Sequence, residues 1–471
     1  MGRLRLRKCM IIVFFFFSTT LFVLFQILPP MGDVDSVLLD ESGIPFPYWL
    51  YDNVDYGGRL VDKNGTDEHD RDHVNSTLLE VKLPIILWWT GFTGERGRIK
   101  QCGENKCFFT VDRHFQNHPK TQVFMFYGTD FNPGDLPLPR KKHHEWAVLH
   151  EESPKNNYIL CHPECLQLFN HTATFKRESD YPISTQYLEK LSDLTDTSYF
   201  VPTAEKSKDG RASAVYVHSD CDPPSDRDAY VSELMKYMDI DSYGRCLHNK
   251  DLPPVLQDPL TMDNKEFFKI LSKYKFNLAF ENAICDDYMT EKLWRPLMLG
   301  SVPVYRGSPK VGDFLPNNKS AVLVDKFESP EKLATYLKQL ASNDTEYEKF
   351  LEFKRTGISN TFLIDTMETR EWGVNDYKQL NFISGFECFI CNRIHENLKA
   401  SKKQKFVASA EHYNCPMPKP YKDSFFASNK WYVDGWKTGV HQARVLRDLV
   451  LSGKNFTGSE FQQAVWESMH G

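Results

Sequence analysis

From Leu83 onward, short apolar runs alternate with helix-like segments, and this alternation constrains the fold more than any other feature. The runs are Pro84–Trp89, Gln122–Tyr127, Trp146–His150, Ala214–His218, Phe276–Phe280, Val302–Tyr305 and Ala321–Val324. Each is rich in β-branched and aromatic residues and too short for a buried helix, so each reads as a strand covered on both faces. Between several of them lie helical patterns. Ser225–Met238 opens with Ser-Asp-Arg-Asp, while Asn264–Tyr274 and Pro330–Leu340 carry apolar residues at i, i+3 and i+4. Strand–helix alternation of this kind predicts an α/β protein with parallel sheets.

Two such blocks are visible. One spans residues 83–204 and the other 212–373, with the polar run Glu205–Arg211 as the linker. A ligand is expected in the cleft between them, outside the carboxyl ends of the strands. Residues 374–471 form a less regular C-terminal extension, in which Gly439–Leu451 reads as one amphipathic helix.

The chain has 471 residues, room for two or three domains. Hydrophobic residues make up 41% and charged ones 25%, enough apolar material for a sizeable core, which excludes a disordered chain. The net charge of −6 and pI of about 6.2 argue against a nucleic-acid binder. A mean hydropathy of −0.47 excludes a polytopic membrane protein.

The N terminus differs. Arg3, Arg5, Arg7 and Lys8 lie in a tail, residues 1–8, before the uncharged stretch 9–28. That stretch is long enough to cross a bilayer once, and its basic flank predicts a type II signal anchor with everything beyond it luminal. A cleaved signal peptide is the alternative, but Ile27-Leu28-Pro29-Pro30 offers no small-x-small cleavage site. Residues 29–82 are strongly acidic and read as an extended stem. A lumen, in the endoplasmic reticulum or Golgi, predicts N-glycans and disulfides. Sequons begin at Asn64, Asn75, Asn170, Asn318, Asn343 and Asn455. Setting aside Cys9 leaves ten of the eleven cysteines, an even number. Cys102 and Cys107, and likewise Cys388 and Cys391, are close enough for local bridges. Cys388-Phe-Ile-Cys391 also has the spacing of a zinc knuckle or redox pair, although no second C-x-x-C follows.

The densest chemistry runs from Phe280 to Arg295, beginning Phe280-Glu281-Asn282 and containing Asp287-Tyr288 and Thr290-Glu291-Lys292. It follows a strand and enters a helix whose first turn is expected to carry Asp287, Glu291 and Lys292. A helix N terminus at a strand end is where α/β proteins hold anions, and a lysine there suits phosphate. Composition alone fits a solvated helix start equally well. The order of the residues decides between them: it resembles the hallmark F-E-N-x-x-x-x-D-Y-x-T-E-K-x-W-R of the α1,3-fucosyltransferases, glycosyltransferase family ten. The similarity continues through Val302-Pro303-Val304-Tyr305-Arg306-Gly307-Ser308-Pro309 to Phe314-Leu315-Pro316, and covers most of residues 83–391.

The resemblance implies a GT-B-like architecture, two Rossmann-like halves with an interdomain cleft, and GDP-β-L-fucose as donor with inversion at the sugar. By resemblance Glu152, in His150-Glu151-Glu152-Ser153-Pro154, is the catalytic base. Arg227 is the arginine on the donor diphosphate, and Tyr230, Asn282, Tyr288, Glu291 and Lys292 are donor-site residues. Glu151, Glu281 and Arg295 are further possibilities. Adjacent carboxylates at 151 and 152 would raise one another's pKa, which suits a base. Asp226-Arg-Asp228 at a helix start and Asp239-Ile-Asp241 at a helix end read as structural rather than metal-binding, so no metal is expected. The His-Glu-Glu-Ser-Pro-Lys-Asn-Asn and Ser-Asp-Cys-Asp-Pro-Pro-Ser-Asp-Arg stretches resemble the divergent tenth and eleventh animal members. Those are associated with O-fucosylation of Ser or Thr in small cysteine-rich domains of the EMI type. The alternatives are transfer to N-acetylglucosamine of N-glycans and a non-catalytic binder or chaperone that retains the fold.

Overall fold

The computed structural model describes residues 81–90, 97–258, 261–374, 379–422 and 429–471. The tail, anchor, most of the stem and the sequons at Asn64 and Asn75 lie outside these residues. Among the described residues no helix is long and apolar enough to cross a membrane.

Two sheets organise the chain. The first contains β1 (Ile85–Trp88), β2 (Arg98–Cys102), β3 (Asn105–Thr110), β4 (Thr121–Tyr127), β5 (Glu145–His150) and β6 (His171–Thr174), in the order β2-β3-β1-β4-β5-β6. The second contains β7 (Ala214–Tyr216), β8 (Ile240–Ser242), β9 (Phe276–Phe280), β10 (Val302–Arg306) and β11 (Val322–Leu323), in the order β11-β10-β9-β7-β8. All pairings are parallel except the β2–β3 hairpin. With the antiparallel edge strand β2 set aside, both sheets share one plan. The first strand is central, the second lies beside it on one side, and the remaining three follow on the other. Each of the seven apolar runs contains a strand. The hairpin, β6 and β8 were not legible, because their mixed burial or polar residues break the apolar run.

The expected helices are present as Arg227–Leu234, Lys265–Leu271, Pro330–Ala341 and Lys430–Leu451. Two details differ. The helix after β9 begins at Glu291, so Asp287 lies in the preceding loop with a left-handed φ of 62°. Asp241 belongs to strand β8, not to a helix end.

The C-terminal residues return to the first sheet. Ala443, Leu446, Phe461 and Val465 enter the same core as Phe124, Phe126, Trp146 and Phe169. The helix Phe382–Lys399 lies on the β2–β3 hairpin, where it is bridged twice, Cys102–Cys388 and Cys107–Cys391. These replace the expected local bridges. In the hairpin Lys100 pairs with Cys107, so Lys100, Cys102 and Cys107 share one face of the sheet. Cys388 and Cys391, three apart on a helix, share the side that meets that face. Glu387, fully buried between them, accepts from Trp88 Nε1 at 2.8 Å and from Arg98 at 3.3 Å, and also pairs with Lys100. Cys221–Cys246 and Cys285–Cys415 are also bridged, while Cys161 and Cys165 are buried free thiols. The ten cysteines therefore make four bridges, not five.

Candidate active site

The carboxyl ends of β5, β7 and β9 carry the chemistry. β5 is almost wholly buried, and its last residue, His150, leads directly into Glu151 and Glu152. Glu151 turns inward. It is 3% exposed, and Tyr127 at the end of neighbouring β4 donates its OH to Oε1 at 2.8 Å. Burial, reinforced by the adjacent Glu152 charge, pushes the Glu151 carboxyl up to about 8. Glu152 is only half-buried. Burial raises its pKa too, opposed by Lys292 and assisted by Glu291. Of the two carboxylates, Glu152 is the one that can meet an incoming hydroxyl.

Opposite stands the start of the helix Glu291–Leu299. Thr290 caps it, its hydroxyl accepting from Lys292 N. Glu281, the first residue after β9, is fully buried and accepts from both Thr290 N and Thr290 Oγ1 at 2.8 Å. Burial lifts Glu281 to about 7 against the pull of Lys292. Lys292 Nζ lies 3.0 Å from Glu291 Oε1 and 3.1 Å from Thr290 Oγ1. Burial would raise Glu291, but Lys292 and Arg295 outweigh it and hold it at about 2. Arg295 is buried, over the Phe267 ring and 3.8 Å from Asp263. A lysine at a helix N terminus, beside carboxylates that can accept from hydroxyls, forms a site for a sugar phosphate.

The loops after β7 and β9 flank the switch point of the second sheet, where strand order reverses and ligands bind. Arg227 stands there, at the first position of the helix Arg227–Leu234. Its guanidinium is 1% exposed, with Nη1 donating to Phe280 O at 3.1 Å and Nη2 to Asp220 O at 2.8 Å. Arg227 is thus buried and ties the two loops together. Among the described residues, Arg227 Nε, Tyr230 OH and Asn282 Oδ1 are buried with no hydrogen-bond partner, which suits a polar ligand at this end of the sheet. Asp220 pairs with Lys155 of the Glu152 loop at 2.8 Å, so the two halves meet beside Glu152.

Tyr288 and Asp287 join the two halves, and burial with the charges of Glu152 and Glu281 drives the Tyr288 phenol well above its usual range. Tyr288 is 1% exposed, and its ring packs 5.0 Å from Phe175 of the first half. Ala283, Cys285 and Tyr288 all enter the first core, so the motif loop is docked onto the other half. Asp287, fully buried, is gripped by Arg177, whose Nη2 lies 2.6 Å from Oδ1. Two residues escaped sequence reasoning. Tyr187 lies in the field of Glu152, Glu291, Glu151 and Glu281, and burial with these charges drives its pKa far up. His218, after β7, is held well below the usual histidine range by burial and then by Arg227 and Lys292. Neither belongs to a motif, so neither carried a local signal.

Three of the four Asp-x-Asp carboxylates are otherwise engaged, and Asp239 is exposed. Asp226 accepts from Tyr421 N at 2.6 Å, Asp228 from Tyr216 OH at 2.6 Å, and Asp241 from Tyr274 OH at 2.7 Å. Among the described residues Cys107, Cys391 and His395 cluster within 4.8 Å, but both sulfurs are in one disulfide. The zinc-knuckle and redox-pair readings of Cys388 and Cys391 fall for the same reason. Of the sequons, Asn318, Asn343 and Asn455 are exposed. Asn170 is not free: its Nδ2 donates to Phe406 O at 2.8 Å, and its Oδ1 accepts from Arg140 at 2.6 Å.

Comparison with known proteins places this site in a family. Residues 81–187 match "Fucosyltransferase, N-terminal", and residues 205–411 match "Glycosyltransferase family 10 (fucosyltransferase) C-term". The chain belongs to glycosyltransferase family 10, the fucosyltransferases. It is 50% identical over 418 residues to "GDP-fucose protein O-fucosyltransferase 3" of Gallus gallus, covering 86% of each chain. The Homo sapiens protein of that name is 49% identical over 397 residues, covering 82% of this chain and 83% of the relative. A solved "alpha1,3-Fucosyltransferase with GDP-fucose" aligns at 17% identity and TM-score 0.39, over 68% of this chain and 91% of its own.

Proposed function

We propose that the chain is an inverting fucosyltransferase that moves L-fucose from GDP-β-L-fucose to a serine or threonine hydroxyl of a folded, cysteine-rich protein domain of the EMI type. The observation that carries the catalytic reading is the half-buried Glu152 at the end of β5, standing in the field of Lys292 at a helix N terminus of the other half. Close relatives named as protein O-fucosyltransferases support the protein acceptor.

Glu152 removes the acceptor's hydroxyl proton as that oxygen attacks the anomeric carbon from the face opposite GDP. The bond to the diphosphate breaks, and negative charge grows on the leaving phosphate. Lys292 and the N–H groups of its helix face that charge, with Arg227 beneath the loop as a second cation. Asn282 and Tyr230 offer unpartnered polar atoms to the sugar or phosphate. In this reading no divalent ion takes part, since each Asp-x-Asp pair has at least one carboxylate already engaged by a protein donor. The two sheets read as the paired Rossmann-like halves of a GT-B enzyme with the reaction between them. Four disulfides suit an oxidising lumen, and residues 9–28 read as the anchor that would hold the enzyme in an endoplasmic reticulum or Golgi membrane.

The test offers the luminal part GDP-fucose with a folded EMI-type domain and, separately, an N-acetylglucosamine-terminated glycan, with and without EDTA. Fucose on the protein hydroxyl, unchanged in EDTA, is expected. Glu152→Gln should lower turnover by about 10²–10⁴-fold while GDP still binds. Fucose only on the glycan overturns the acceptor; activity lost to EDTA and restored by Mn²⁺ overturns the metal-free route. A Glu152→Gln chain with full turnover overturns the base, and GDP binding without transfer marks a binder.

A further inference from the structure

Residues 408–422 run from one half of the molecule to the other, touching the Glu152 loop and then the Phe280–Arg295 and Arg227 loops. Ala408 N donates to Phe169 O at 2.9 Å, and His412 O accepts from Thr174 Oγ1, so the segment begins on the first sheet. Tyr413 follows, 1% exposed, its ring packed 5.0 Å from His150 and 5.2 Å from Phe175. Its OH donates to the backbone carbonyl of Glu152 at 3.0 Å. Two residues later Cys415 is bridged to Cys285 inside the Phe280–Arg295 motif. Tyr421 then meets Tyr230 edge-on, ring centroids 4.9 Å apart, with its N–H on Asp226 at the start of the Arg227 helix. Asn429 Nδ2, in the next described stretch, donates to Pro224 O at 2.9 Å.

We propose that this segment is a strap that sets the distance between base and donor site, with Tyr413 as a positioning residue for Glu152 and the Cys285–Cys415 bridge as its anchor on the donor loop. The inference rests on the transferase reading above. The Glu152 carbonyl leaves β5 just where regular strand pairing ends, since His150 is the last residue in register with β6. Gln186 Nε2 lies 3.4 Å from the Glu151 carbonyl and Lys155 pairs with Asp220, while the Tyr413 hydroxyl holds the Glu152 carbonyl itself. Small errors in aligning a base with its proton reduce rate steeply, whereas donor affinity depends on the other half. A role in positioning therefore predicts a loss in kcat with donor binding unchanged.

The test measures kcat, KM for GDP-fucose, GDP affinity and Tm for the full luminal chain and for Tyr413→Phe, which keeps the ring packing and removes only the OH. A fall in kcat of about tenfold is expected, with donor KM, GDP affinity and Tm unchanged. The Cys285→Ser/Cys415→Ser double variant should lower kcat further with GDP affinity kept, while its Tm falls with the lost crosslink. Full kcat in Tyr413→Phe beside an active wild type overturns the positioning role alone. Parallel losses in kcat, GDP affinity and Tm show a merely structural tyrosine and overturn it too. A wild-type chain that transfers no fucose overturns both this inference and the function it rests on.

Discussion

Glu151 and Glu152 are chain neighbours in different circumstances, separated by exposure and by the cations that face Glu152. Glu151 turns under β4 to meet Tyr127, where desolvation favours its neutral form. Neutrality there removes a like charge from beside Glu152 and leaves Glu152 free to ionise. An unfolded glutamate titrates near about 4.3, whereas folded Glu151 holds its proton to about 8. The folded state binds that proton more tightly, so the stabilisation is complete below the unfolded value and is lost as pH rises through about 8. Glu281 acts in the same direction to about 7. Glutamine at 151 cannot ionise. The drop in Tm between pH 5 and pH 8.5 should therefore be smaller in Glu151→Gln than in wild type. An equal drop in both, by scanning calorimetry, would show that Glu151 ionises normally.

The helix Glu291–Leu299 shows how an element places a charge. Thr290 caps it, Gly300 ends it in the left-handed region at φ 69°, and Leu293, Trp294 and Leu297 bury its inner face in the second core. With the inner face fixed, Lys292 must stand at the exposed corner of the first turn. Thr290 is the hinge of this arrangement, since its hydroxyl holds both the cap and the buried Glu281. Thr290→Ala should cost about 1–3 kcal/mol in urea denaturation, from the lost cap and the carboxylate left short of a donor. It should also weaken GDP binding, while Thr290→Ser restores both. The motif pattern identified the strand and helix that flank this loop. It misplaced Asp287, because a carboxylate four residues before a helix reads the same whether it caps, solvates or pairs. Only the approach of Arg177 from the other half decides.

At the scale of the whole molecule, the C-terminal residues are the outer layer of the first sheet rather than an appendage. The bridges Cys102–Cys388 and Cys107–Cys391 join residues 286 and 284 positions apart, and Glu387 binds Trp88, Arg98 and Lys100 between them. The helices Lys430–Leu451 and Gly458–His470 bury Leu446, Phe461 and Val465 against the same core. A chain ending at residue 374 would expose that apolar surface and lose both bridges, each long-loop crosslink being worth up to about 4–5 kcal/mol when it acts alone. Such a chain should yield no soluble monomer by size-exclusion chromatography, while the uncut luminal part does. A soluble, monomeric truncation would show that the first sheet closes on itself.

The sequence alone determined the parallel α/β plan, because strand and helix periodicities are local and the strands are buried on both faces. It also determined the family, since the order of polar residues from Phe280 to Arg295 survives whatever surrounds it. The tertiary structure decided which cysteines pair, which of two adjacent glutamates is reachable, that Arg227 is buried, and that Tyr288 and Asp287 join the halves. Each of those depends on what approaches from a distant part of the chain, and burial and partner geometry are set by packing, not by neighbours in sequence.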